Sequence, residues 1–210
     1  MSDSPLVFIV DDELLVRQAL SSLLRSVGYH VKTYGLTEDA YADPDLGRAD
    51  CLVLDIRLPL TSGLDFQRKL NERGIAIPII FVTGHGDIPM SVKAMKAGAR
   101  DFLAKPIRDQ DVLDAVQAAV KQSQIARSAE KRIQELRSRY QTLSAREKQI
   151  MAMATSGLMN KQIAGELELS EITVKIHRGK VSRKMMAKTF ADLVKMAELL
   201  GVSAAGSHSE

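Results

Sequence analysis

The sequence predicts an α/β domain with a doubly wound, five-stranded parallel sheet, followed by a long linker helix and a separate all-α domain of four helices. Two kinds of pattern support this. Over roughly the first 120 residues, short apolar runs alternate with segments of helical periodicity, as in α/β sheets with right-handed crossovers. From residue 111 onwards, only helical patterns follow.

The apolar runs are the predicted strands, in the order LVFIV, HVKTY, CLVLD, PIIFVT and DFLAK. Their β-branched and aliphatic residues are typical of buried parallel strands. The helices predicted around them are ELLVRQALSSLLRSV, which ends at Gly28, then segments near Thr37 to Tyr41, Gly63 to Asn71 and Ile88 to Ala97, and a last one that begins near Arg108.

Polar residues follow the strands where a parallel sheet binds ligands, at its carboxyl edge. Asp11 and Asp12 come after the first strand, Asp55 ends the third, Thr83 ends the fourth, and Lys105 ends the fifth. Three carboxylates at one edge need a cation. Mg²⁺ is suitable because it prefers one or two carboxylates together with a phosphate. We therefore expect a site that receives a phosphoryl group.

Composition and charge divide the chain in two. Residues 1–120 carry 13 Lys+Arg against 17 Asp+Glu, whereas residues 144–200 carry 10 against 6, which indicates a polyanionic partner for the second part. No apolar run approaches the ~18 residues of a membrane span, and the first residues lack a secretory signal. We expect a cytoplasmic protein without a membrane partner.

The predicted domains are residues 1–120, a linker helix over 121–143, a second domain over 144–200 and a disordered tail over 201–210. In the linker, apolar residues recur near heptad spacing at Ile125, Ala129, Ile133, Leu136, Tyr140 and Leu143. Two interpretations stay open for this seam, a coiled coil and an exposed amphipathic spacer.

Four helices are predicted in the second domain: Ala145 to Thr155, Asn160 to Leu167, Glu171 to about Met186, and Thr189 to Leu200. Ser144 with Glu147 fits a capping box, and Ser170 fits a cap of the third helix. From Ile172 to Lys188, a range that covers most of that helix and its end, there are six cations and no acid, namely Lys175, Arg178, Lys180, Arg183, Lys184 and Lys188. A basic helix after a short turn is typical of helix-turn-helix proteins, in which it enters the DNA major groove.

The motifs VFIVDDE, LVLDIRLPLTSG, FVTGHGD and AMKAGARDFLAKP, in this order, resemble the receiver domain of bacterial two-component response regulators, a flavodoxin-like fold. The resemblance implies that Asp55 accepts a phosphoryl group from a sensor histidine kinase, without a further enzymatic activity except slow autodephosphorylation. It also implies that Mg²⁺ is held by Asp11, Asp12, Asp55 and the backbone carbonyl of Arg57.

The same resemblance assigns roles to three residues beside the acids. Lys105 would offset the charge that gathers during phosphoryl transfer, and Thr83 would donate its hydroxyl to a phosphoryl oxygen. Movement of Thr83 would be coupled to Phe102. Strand-end packing is the alternative for Thr83 and Phe102, and Asp12 is also expected to cap the helix that begins at Glu13.

The elements LS-RE, G-x-x-NK-IA and TVK-x-H resemble the DNA-binding domain of the LuxR, NarL and FixJ regulators. The resemblance implies base-edge contacts from Lys175, Ile176 and Gly179. It implies phosphate contacts from Lys161, Ser170, Thr173, Arg178 and Lys184. Gly179 departs from the family pattern because it lacks a side chain at a position often used to read bases. The predicted core residues are Ile163, Ala164, Leu167, Leu169, Val174 and Val181.

Together these patterns predict a transcriptional response regulator. Phosphorylation would shift the face formed by about residues 88–120 toward a homodimer, and two recognition helices would then bind double-stranded promoter DNA. The fourth helix would supply a dimer contact on DNA, RNA polymerase is a further candidate partner, and activation of transcription is the expected outcome. Two alternatives remain open: DNA binding that is independent of phosphorylation, and a phosphotransfer element with weak DNA binding.

Overall fold

The computed structural model describes residues 4–84, 92 and 94–202. By its contacts the chain divides into two compact units, Met1–Arg127 and Ser128–Glu210. Residues 203–210 of the tail predicted over 201–210, and half of the helix predicted near Ile88 to Ala97, lie outside the described residues, although residues 92 and 94–96 are helical. None of the described helices has the length and hydropathy to cross a membrane.

The first unit contains the predicted parallel sheet. Its strands are β1 (Leu6–Val10), β2 (His30–Tyr34), β3 (Cys51–Asp55), β4 (Ile79–Thr83) and β5 (Asp101–Ala104). In the described part of the chain they pair in the order β2-β1-β3-β4-β5, all parallel. The winding reverses between β1 and β3, which is where such a sheet opens a crevice at its carboxyl edge.

Helices cover both faces of this sheet: α1 (Leu14–Ser26), α2 (Thr37–Ala42), α3 (Gly63–Glu72) and α4 (Asp109–Gln141), with a short 3₁₀ helix at Leu46–Arg48. Alternate residues of β1 point to opposite faces, so that Phe8 and Val10 belong to one core cluster, and Val7 and Ile9 to the other. Because both faces are covered, β1, β3 and β4 are almost wholly buried and apolar, as the sequence indicated, whereas the edge strands β2 and β5 are only partly buried and carry polar residues.

The prediction that Asp12 caps α1 is wrong. The helix begins at Leu14, its N-cap is Glu13, and no side chain caps it there. The turn after β1 instead directs the carboxylate of Asp11 onto the Glu13 N–H, with Asp11 Oδ1 2.8 Å from the nitrogen. Asp12 is left exposed.

Helix α4 continues without a break through the predicted linker, residues 121–143, as far as Gln141. At its middle, Arg127 donates to Asp50 Oδ1 at 2.9 Å and to the carbonyl of Ala49 at 2.8 Å. Asp50 also accepts from the N–H of Leu6 at 2.9 Å. These bonds attach α4 to the first unit at the amino ends of β1 and β3.

The second unit contains α5 (Ala145–Thr155), α6 (Asn160–Glu166), α7 (Glu171–Met185) and α8 (Phe190–Leu200), each within a residue of its predicted bounds. The predicted capping box is confirmed, with reciprocal bonds between Ser144 and Glu147 of 3.2 and 2.8 Å. Ser170 caps α7 by accepting from the Thr173 N–H at 3.1 Å. Of the predicted core residues, Ile163, Ala164, Val174 and Val181 are buried, and Leu167 and Leu169 are half-buried.

The two halves of the linker seam differ. Ile125 and Ala129 are exposed, whereas Leu136 and Leu143 are buried in a cluster with residues of α5, α7 and α8, and Tyr140 packs against it. The second half of the seam therefore packs within its own unit and is not available for a coiled coil.

Candidate functional site

The fold brings the predicted acids together. Asp11, Asp12 and Asp55 each offer a carboxylate oxygen, and these oxygens lie within 4.8 Å of one another. Asp11 and Asp55 are only 1% and 5% exposed, whereas Asp12 is exposed. Carboxylate oxygens are the ligands that a hard divalent cation such as Mg²⁺ prefers.

Lys105, the residue that follows β5, contacts this cluster. Lys105 Nζ lies 2.8 Å from Asp11 Oδ2, 2.8 Å from Asp55 Oδ2 and 2.8 Å from Glu13 Oε1. All three of its N–H donors are thus engaged by carboxylates. Sequence reasoning missed Glu13, although its position directly after the acidic pair was a usable signal.

The pKa shifts in this cluster arise from burial and from the hydrogen bonds of Lys105. Burial raises the pKa of Asp11, and the hydrogen bond and charge of Lys105 lower it by less. Burial lowers the pKa of Lys105, but its hydrogen bonds to Asp11, Asp55 and Glu13 outweigh this effect and raise it. The bond from Lys105 lowers the pKa of Glu13. A single ammonium, that of Lys105, lies against the carboxyl groups of Asp11, Asp55 and Glu13 among the described residues, and Asp12 adds a further carboxyl group, so that these residues fit a bound divalent cation.

The backbone around Asp55 is held from two sides. Asp55 Oδ1 accepts from the Arg57 N–H at 2.9 Å, which orients the carboxylate. Helix α3 begins against the end of β3, where the Gly63 N–H donates to the carbonyl of Ile56 at 2.9 Å. A Cβ at Gly63 would lie 2.3 Å from the carbonyl oxygen of Asp55. Sequence reasoning also missed Gly63, although this residue is the last one of the motif LVLDIRLPLTSG.

The predicted switch residues lie on adjacent strands. Thr83 is fully buried at the end of β4, and its carbonyl accepts from the Lys105 N–H at 2.8 Å. Phe102 is paired with Phe81 across the sheet and packs against the core cluster of Phe8 and Phe66. Thr83 thus lies at the carboxyl end of β4, the strand next to that of Asp55, while Phe102 lies in the adjoining core. Their coupling stays a prediction.

The predicted DNA contacts lie on α7, on its cap and on α6. Thr173 and Arg178 are half-buried, and the exposed members are Lys161, Ser170, Lys175, Ile176, Gly179 and Lys184. No side chain lies within 4 Å of a Cβ built at Gly179, so that this position is open.

Two of the three basic residues predicted to contact phosphate have partners on other helices of the second unit. Arg178 donates to Asn160 Oδ1 at 2.6 Å, and its guanidinium lies 4.9 Å from the ring centroid of Phe190. Lys184 Nζ lies 2.6 Å from Glu147 Oε2. Each side chain keeps further N–H donors with which it could bind phosphate. Sequence reasoning could not detect these contacts because the partners lie on other helices.

Comparison with known proteins agrees with this arrangement. Residues 7–117 match the response regulator receiver domain family, and residues 141–197 match the LuxR family of bacterial regulatory proteins. Nodulation protein W of Bradyrhizobium diazoefficiens is 50% identical over 209 residues, covering 100% of this chain and 91% of that protein. Response regulator protein TodT of Pseudomonas putida is 47% identical over 201 residues, or 95% of this chain and 88% of that protein.

Two solved structures extend the comparison. The response regulator StyR is 42% identical with a TM-score of 0.83, covering 93% of this chain and 98% of that one. Full-length FixJ from B. japonicum is 33% identical with a TM-score of 0.56, covering 94% and 97%. The chain therefore belongs to the two-component response regulators that join a receiver domain to a LuxR-type DNA-binding domain.

Proposed function

We propose that Asp55 is the phosphoacceptor of this regulator and that its phosphorylation by a sensor histidine kinase promotes dimerisation and promoter binding. The supporting observation is the position of Lys105, whose ammonium bonds to both Asp55 and Asp11 beside a third carboxylate, that of Asp12.

The chemistry follows from the charges at the site. Asp55 attacks the phosphorus of a phosphohistidine, so that an O–P bond forms as the N–P bond to the kinase histidine breaks. The attack brings negative charges together in a buried cleft, and Lys105 offsets part of this charge. The N–H of Arg57 orients the carboxylate through Oδ1, and in this proposal Oδ2, which accepts a bond from Lys105, is the oxygen that attacks.

Mg²⁺, when bound by Asp11, Asp12, Asp55 and the Arg57 carbonyl, supplies the remaining positive charge. Thr83 donates its hydroxyl to a phosphoryl oxygen. Phosphorylation adds roughly −1.5 to −2 charge next to Lys105. The ammonium then has a new acceptor, and its bonds to the carboxylates rearrange.

The signal passes from the receiver to DNA by dimerisation. In this proposal, Phe102 and the face formed by about residues 88–120 shift, two chains pair, and α8 contributes a contact between the DNA-binding domains. Paired domains bind a two-fold DNA site more tightly through effective concentration. The bound dimer activates transcription, with RNA polymerase as its partner.

Phosphorylation is tested first, with the full-length protein, Mg²⁺ and acetyl phosphate. Mass spectrometry should find one added phosphoryl group on Asp55 and none in Asp55→Asn. Asp39→Asn is the matched control, because Asp39 is an exposed aspartate on α2. Modification that persists in Asp55→Asn would contradict the proposed phosphoacceptor.

Gating is tested by capturing genomic DNA fragments with and without Mg²⁺ and beryllium fluoride, a mimic of phosphoaspartate. Specific fragments should be enriched only with the mimic. Equal enrichment without it would favour DNA binding that is independent of phosphorylation.

A further inference from the structure

An apolar strip runs along the outer face of α7. Val174, Val181 and Met185 form the buried side of the helix. At 3.6 residues per turn, the line opposite to them passes through Ile172, Ile176 and Gly179. Ile172 is 73% exposed and Ile176 is 53% exposed. We call these three residues the isoleucine strip.

Cations flank the isoleucine strip on both sides. By the same periodicity, Lys175 lies along one side and Lys180 along the other, and both are exposed. Neither has an ion-pair partner among the described residues, in contrast to Lys184. A surface with an apolar centre and positive edges is complementary to a groove whose rims are negative and whose floor carries apolar groups.

The DNA major groove is such a surface. Its rims are phosphates, and its one apolar group is the C5-methyl of thymine. Recognition helices insert their amino-terminal residues toward the base edges, and both isoleucines lie in the first two turns of α7. Gly179 continues the same line without a side chain, which lets the helix approach the groove floor closely.

We propose that Ile172 and Ile176 determine sequence specificity by packing against thymine methyl groups in the half-site. This inference rests on the proposed binding to promoter DNA and names the bases that are read. Residues at i and i+4 of a helix have Cβ atoms about 5–6 Å apart, and bases along one strand rise by about 3.4 Å. The two methyl groups therefore lie on adjacent base pairs or on pairs one step further apart.

The test compares thymine with deoxyuridine, which lacks only the methyl group. High-affinity duplexes are first selected from a random pool with the full-length protein, Mg²⁺ and beryllium fluoride. Each thymine of the half-site is then replaced by deoxyuridine, and Kd is measured. One or two replacements should weaken binding by about fourfold each, the value of one buried methyl group.

Substitution of the isoleucines should remove this discrimination. Each of the variants Ile176→Ala and Ile172→Ala should lose the discrimination at one of the two sensitive positions. At that position, its Kd should be the same for the duplex with thymine and the duplex with deoxyuridine. Ile125→Ala is the control, because Ile125 is 62% exposed but lies on α4. It should keep the full discrimination. The salt dependence of Kd should be the same in all variants, since the flanking lysines remain.

The outcomes separate the two proposals. If binding is salt-dependent but no replacement of thymine by deoxyuridine changes Kd, the proposed contacts of the isoleucines with thymine methyl groups are refuted, whereas the proposed DNA binding stands. Discrimination that survives in both isoleucine variants would overturn these contacts as well. Absence of salt-dependent binding to any duplex would refute the proposed function itself.

Discussion

Gly63→Ala is the substitution for which the structure predicts the sharpest effect on the phosphoacceptor site. The added Cβ would lie 2.3 Å from the carbonyl oxygen of Asp55, 3.1 Å from Cα of Ile56 and 3.1 Å from Cγ of Leu54. Two of these atoms belong to the backbone, so that a side-chain rotation cannot relieve the overlap. The φ angle of Gly63 lies outside the left-handed region, and the obstacle is therefore this overlap alone.

The size of the effect follows from the distance. An ordinary contact between carbon and a carbonyl oxygen is about 3.3–3.6 Å, so that α3 and the end of β3 must separate by on the order of 1 Å. Overpacking of this kind costs about 1–3 kcal/mol of stability. Because Asp55 lies in the displaced segment, its attack on phosphorus should slow by up to about 100-fold.

Two measurements check this prediction in the full-length chain. Urea unfolding, with hydrogen exchange of the β3 amides as a local probe, reports the stability of the first unit. The rate of phosphorylation by acetyl phosphate reports the site. Gly47→Ala is the matched control, because nothing lies within 4 Å of its Cβ position. Its stability should be unchanged or higher by about 0.4–1 kcal/mol. Gly63→Ala with the stability and rate of the unsubstituted protein would refute the reasoning.

Two other predictions concern ion pairs. Glu13→Gln removes a negative charge and weakens the hold on one N–H donor of Lys105. Phosphorylation by acetyl phosphate should therefore accelerate by about two- to fivefold. An equal or lower rate would contradict the idea that Glu13 competes with the phosphoryl group for Lys105. Bonds from Lys184 and Ser144 lower the pKa of Glu147 below its ordinary 4.5. The resulting stability is present above pH 4.5 and is lost as the pH falls through the folded-state pKa. In Glu147→Gln, melting temperatures should be lower at neutral pH and less sensitive to acid, and an unaltered pH profile would show that this pair does not contribute.

Much of the first unit could be predicted because its determinants are local. The run LVFIV before Asp11 and Asp12, and CLVLD with Asp55 at its end, specify buried strands that end in acids. The rule that parallel strands share a carboxyl edge then brings these carboxylates together without any coordinates. Ser144 and Glu147 were predictable for the same reason, since a capping box depends on residues only three positions apart.

Contacts between distant parts of the chain could not be predicted in this way. The bond between Glu13 and Lys105 joins residues 92 positions apart, and that between Lys184 and Glu147 joins different helices. The overlap that makes Gly63 necessary arises only when α3 packs against the end of β3. Asp12 was wrongly assigned as a cap because the helix begins one residue later than predicted, with Glu13 at the N-cap position and no side-chain cap.

The sequence by itself thus determined the two kinds of domain, the edge of the sheet at which the acids meet, and the basic helix that follows a turn. Apolar periodicity and the order of polar residues are sufficient for these features because each depends on neighbours in the chain. Only the tertiary structure decided which cations are engaged inside a unit and which remain exposed. Side-chain partners depend on the distance and burial between elements that fold together from remote positions, and periodicity contains no information about either.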